Sequence, residues 1–164
     1  MKNRLDVLVA KAGVYQGSGT NHEGQSFIGS LALTPCAKGR GLSLDFVATG
    51  LSGETYHTEH SLIGPTLDDG IAIWILSSNH PGVTEHRLTD EEQKRKSETE
   101  ECRTLVFRCG DMTDSKSFRE EVYLDLWTNG DVGYRYAWGM PGGKFEDRSG
   151  ACMRLVATMP DPTR

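Results

Sequence analysis

The sequence predicts an all-β protein, a closed antiparallel up-and-down β-barrel of about ten strands with a short N-terminal helix. Three observations carry this reading. Apolar and polar residues alternate at period two through most of the chain, Gly, Asn and Asp turns interrupt the alternating runs, and no long helical period appears. A flat sheet assembled from so many runs leaves open edges, and closure removes them.

The elements follow in order. Residues 3–11 form a short helix with Leu5, Leu8 and Val9 on one face. Strands are expected at 13–19 and 25–34, and then at GLSLDFVATG (41–50). There Leu42, Leu44, Phe46 and Ala48 alternate with Ser43, Asp45, Val47 and Thr49. Further strands are 54–63, 83–88, 103–109, 132–138 and 151–158, together with IAIWILSS at 71–78, apolar on both faces. In the strand over 118–127, Phe118, Glu120, Val122, Leu124 and Leu126 alternate with Arg119, Glu121, Tyr123, Asp125 and Trp127. Turns are marked by Lys38-Gly39-Arg40, Leu51-Ser52-Gly53, Asp68-Asp69-Gly70, His80-Pro81-Gly82 and Pro141-Gly142-Gly143. Asn129-Gly130 between two alternating runs is the strongest hairpin signal. Residues 89–101, TDEEQKRKSETEE, read as a solvated loop or a short exposed helix.

Length and composition bound the function. The chain of 164 residues is sized for a single barrel domain, and its net charge of −5 argues against nucleic acid, which needs a clustered basic face. No window of the length and apolarity of a membrane span occurs, and the N-terminus lacks the apolar core of a signal peptide. A cytoplasmic protein with no membrane association is expected. The four cysteines contain no CxxC pair and read as reduced thiols, although an even count also permits disulfides. Oligomerisation is left open by the sequence.

The stretch GETYHTEHSLIG (53–64) holds two histidines three residues apart. On a helix such spacing suggests a metal site. On a strand, residues i and i+3 face opposite ways, so His57 and His60 cannot chelate together. Thr55, Tyr56 and Thr58 favour the strand, and no metal or other cofactor is expected. Of the two strand faces, Tyr56-Thr58-His60-Leu62 carries the larger apolar share and is expected to face inward. His60 is then an interior imidazole that must find a hydrogen-bond partner or a ligand. Glu120, on an otherwise apolar strand face, needs a partner in the same way unless it lies at a frayed, solvated strand end. Tyr134, Tyr136 and Trp138 recur at period two in GYRYAWG and either line a cavity or fill a core. His80 and His86 fall near one rim.

The glycine-rich run GVYQGSG (13–19) has neither the Lys-Ser/Thr of a P-loop nor the GxGxxG of a dinucleotide site, and no GxSxG elbow occurs. It resembles instead the G-x-W opening of the calycins, with Tyr15 for the tryptophan. It is more similar still to the GxWxGxG opening of the nitrobindin-like, fatty-acid-binding-protein-like barrels. The resemblance extends through ETYHTE (54–59) and IWILSSNHPGVTEH (73–86), covering about residues 5–88. It implies a ten-stranded barrel. It also implies an arginine of the last strand over the first-strand aromatic, here Arg154 over Tyr15. The best-known members bind haem through a histidine near the C-terminus, whereas the last histidine here is His86.

The expected function is a non-enzymatic binding protein holding a small apolar or amphipathic molecule inside the barrel, with His60, Glu120, Tyr134, Tyr136, Trp138 and His86 as ligand-contacting residues. The alternatives are an enzyme using a His–carboxylate pair in the same cavity, a nitrobindin-like haem barrel, and a solid barrel acting through its surface.

Overall fold

The computed structural model describes residues 4–95 and 100–159. After helix α1 (Arg4–Val9) come β1 (Gly13–Thr20), β2 (Ser26–Cys36), β3 (Gly41–Gly50), β4 (Thr55–Pro65), β5 (Ile71–Ser77), β6 (Thr84–Arg95), β7 (Glu101–Cys109), β8 (Arg119–Trp127), β9 (Val132–Gly139) and β10 (Glu146–Thr158). The strands pair antiparallel with their sequence neighbours, and β10 pairs with β1 to close the barrel. Consecutive loops therefore alternate between its two ends.

All ten expected strands form, because each alternating run buries one set of side chains and the turn residues reverse the chain between them. At the Asn129-Gly130 hairpin, Gly130 takes φ 98°, the conformation such a turn demands of a glycine. Trp127 N–H donates to the Asp131 carbonyl at 3.1 Å across it.

The polar run 89–101 differs from expectation. Residues 89–95 extend β6, and Glu101 begins β7, while 96–99 lie outside the described residues. Propensity alone does not make that strand. Its partner is the apolar run of β7, and ion pairs of Glu91 with Arg103 (2.6 Å) and Arg95 with Glu101 (2.9 Å) cross the ladder.

α1 is too short to be stable alone. It docks across the end of the barrel with Leu5 and Leu8 buried, and Arg4 reaches Glu91 at 3.1 Å. Beneath it lie Leu31, Leu33, Leu42, Leu44, Ile63 and Leu124, all fully buried. Lys11 donates to the Trp127 carbonyl (2.8 Å), and the Tyr15 hydroxyl to the Lys11 carbonyl (2.6 Å). This end of the barrel is a packed core.

Tyr15 is not covered by Arg154. Tyr15 is buried inside, whereas Arg154 pairs with Gln16 in the ladder and points outward beside inward-facing Met153. The two residues lie on opposite faces of the wall, so the expected cation–π contact is absent.

The outer face of β8 is also covered. The Tyr123 hydroxyl donates to Glu121, which also receives Arg108 at 2.5 Å. Arg135 donates twice to Asp125, at 2.6 and 3.1 Å, and lies 4.4 Å over the Tyr123 ring. Gly133 has no side chain because a Cβ there would come within 2.8 Å of the Asp125 carboxylate.

Ladder lengths are unequal. β2 and β3 pair over ten residue positions, β5 and β6 over only four, from Ala72↔Arg87 to Ile75↔Thr84. Native-state hydrogen exchange is therefore expected to release the amides of the β5–β6 ladder before those of β2–β3. Equal protection in the two ladders contradicts this ranking.

Candidate functional site

The other end of the barrel is hollow. A cavity of about 620 Å³ opens there, walled by Phe27, Phe46, Ala48 and Ile75, with Phe118, Trp138, Met140 and Pro141 towards the mouth. His22 stacks edge-on against Trp138, and His80 against Phe118, so two imidazoles stand at the rim.

Strand β4 contributes the opposite face from the one expected. His60 is on the outer surface, its side chain 67% exposed and its Nδ1 2.5 Å from the Asp45 carboxylate. The inward residues are Glu59, Ser61 and Ile63, with His57 above them. Register explains this. Glu59 pairs with Phe46, Ser61 with Leu44 and Ile63 with Leu42, and paired residues share a face. Apolar share misleads here because the interior is polar at this level. Tyr56 reaches the cavity mouth as well, because the ladder shifts register between Ala48 and Thr49.

The polar level centres on Glu59, whose side chain is wholly buried. One carboxylate oxygen accepts from the hydroxyls of Tyr134 (2.7 Å) and Ser61 (2.5 Å). The other accepts from Tyr136 and lies 3.5 Å from His57 Nε2. Four groups around two oxygens fill the acceptor sites of a carboxylate. Burial, reinforced by the Glu59 charge, pushes the Tyr134 and Tyr136 phenols well above their usual value, so both stay protonated as donors.

Across the cavity, Glu120 does face inward and finds a histidine. His86 Nε2 lies 2.8 Å from one oxygen of Glu120, and the His86 side chain is fully buried. Nδ1 of His86 has no hydrogen-bond partner, nor does the buried hydroxyl of Thr84, two residues away on the same strand face. Cys109 feels the Glu120 charge, and burial, reinforced by that charge and by Glu85, holds its thiol above the usual value. It is a thiol rather than a nucleophilic thiolate. Cys36, Cys102 and Cys109 are free thiols.

Of the residues expected from sequence, Glu120, Tyr136 and Trp138 therefore line the cavity. Tyr134 lies buried beside Glu59, His86 stands behind Glu120, and His60 is outside. Sequence reasoning missed Glu59 and His57 as interior residues. The clean alternation of β3, carried through register into β4, was the signal that identifies them. Among the described residues, no group of three or more His, Cys, Asp or Glu side chains is placed to hold a metal ion, and no helix is long and apolar enough to cross a membrane. No protein-family model matches the chain, and no curated protein matches it.

Proposed function

We propose that the protein is a small-molecule binder of the cytoplasm, a calycin-like barrel that takes an apolar or amphipathic guest into its open half. The cavity carries the reading. Its volume of about 620 Å³ and its apolar, aromatic walls with a few grouped polar atoms match the anatomy of small-molecule sites. The same hollow end argues against a solid barrel acting only through its surface.

Nile red, a neutral apolar dye, tests the proposal. It is expected to show blue-shifted, saturable emission at one dye per chain. Ala48→Phe, which places a ring inside the cavity, is expected to weaken binding about tenfold while leaving the circular dichroism unchanged. Dye emission that never saturates, or that is indifferent to the variant, rejects the proposal.

A second reading rests on the His86–Glu120 pair, whose 2.8 Å contact is the geometry of an oriented base. Against it, the Cys109 thiol is held up by burial, and Ser61 donates to a carboxylate rather than to an imidazole. The haem alternative lacks the C-terminal histidine of the barrels it resembles, and His60, expected inside, lies on the outer surface.

A further inference from the structure

We infer that the guest is a cationic amphiphile, an apolar body carrying a protonated amine that is met by Glu120. This deepens the binding reading and rests on it. Among the described residues, no lysine or arginine lines the cavity, whereas two carboxylates, Glu59 and Glu120, do. They are not equivalent. Glu59 has its acceptor positions filled by Tyr134, Tyr136, Ser61 and His57, so it is committed to the protein.

Glu120 is not. One oxygen is met by His86, and the other makes no hydrogen bond among the described residues. The residue is only 8% exposed, and that exposure opens onto the cavity. Because that oxygen faces the cavity rather than the packed core, a donor carried by a guest can reach it.

The histidine sharpens the argument. With Nδ1 of His86 buried and unpartnered, only a neutral imidazole donating Nε2–H to Glu120 leaves no buried N–H orphaned. The second oxygen of Glu120 is then the part of the pair that faces the cavity. Thr84 lines the same wall, its hydroxyl turned away from the cavity and buried. Tyr136 and Trp138 line the same cavity and give an apolar stem an aromatic wall, the Trp138 ring already carrying Arg148 over it at 4.4 Å. A fatty-acid anion meets two carboxylates and, among the described residues, no lysine or arginine.

Three guests of one chain length, decylammonium, decanoate and decan-1-ol, separate the possibilities by displacement of Nile red at neutral pH. Decylammonium is expected to bind at least about tenfold more tightly than either of the others, the worth of one charge-assisted hydrogen bond. Glu120→Gln is expected to remove that preference while changing decan-1-ol binding less than about twofold. If the variant does not fold, the comparison within the unaltered protein still decides. Decanoate or decan-1-ol binding as tightly as decylammonium overturns the inference and leaves the binding reading standing. If neither the dye nor any of the three binds, both fall.

Discussion

Gly17→Ala is expected to lower stability by about 3 kcal/mol, at the upper end of what overpacking costs. Gly17 sits at the seam that closes the barrel, paired with Met153 on β10 and Gly29 on β2. A Cβ built on it comes within 2.0 Å of the Cys152 carbonyl oxygen and 2.8 Å of the Met153 Cα. Both are backbone atoms held by the ladder, so no side chain can rotate away to make room. The strands themselves must part, and the β1–β10 ladder is what makes the sheet a barrel. Gly82→Ala is the control, since nothing lies within 4 Å of its Cβ position. It is expected to stay within about 0.5 kcal/mol of the unaltered protein. Urea denaturation of the three proteins checks this, and equal midpoints for Gly17→Ala and Gly82→Ala refute the tight seam.

The second large effect is expected at the polar level. Tyr134→Phe removes one donor from a wholly buried carboxylate and is expected to cost about 2–3 kcal/mol, because Glu59 is left under-satisfied rather than merely losing a contact. The double variant Tyr134→Phe, Glu59→Leu is expected to recover part of that loss, since the stranded charge is then gone. Alkaline pH reports on the same group. Tyr134 and Tyr136 have folded-state values above those of the unfolded chain. Their contribution is therefore complete below the unfolded value of about 10 and declines as pH rises beyond it, because the unfolded chain sheds protons that the native state retains. The decline is about 1.4 kcal/mol per pH unit for each phenol in that window. The melting temperature is expected to fall above about pH 10, less steeply in Tyr134→Phe than in the unaltered protein. Parallel slopes in the two proteins contradict the assignment.

The barrel was legible in the sequence because its evidence is local. Leu42-Leu44-Phe46-Ala48 alternation and the Asn129-Gly130 turn act within one strand or one hairpin, and neighbouring elements agree with them. The tyrosine–tryptophan stripe of β9 and the inward Glu120 were legible for the same reason. The face of β4 was not. An interior that is apolar at one end and polar at mid-height defeats a vote on apolar share, and the decision lies in register with β3. The length of β6 was hidden because its outer half has polar residues on both faces and takes its strand form from β7. The Tyr15–Arg154 pairing failed on parity, one residue of offset turning the arginine outward.

The short β5–β6 ladder bears on how a guest gets in and out. Ile75 and Thr84, its last pair, border the cavity, as do Ser77, Asn79, His80 and Pro81 of the hairpin that follows. Parting these two strands breaks few hydrogen bonds and widens the cavity from the side, whereas the opposite wall is held by the Gly17 seam. If the barrel does hold a guest, its residence time is then governed by the frequency with which this one hairpin lifts, and less by the contacts the guest makes once inside. The wall becomes a door hinged on one side, with affinity written in the cavity and exchange rate written in a ladder four rungs long.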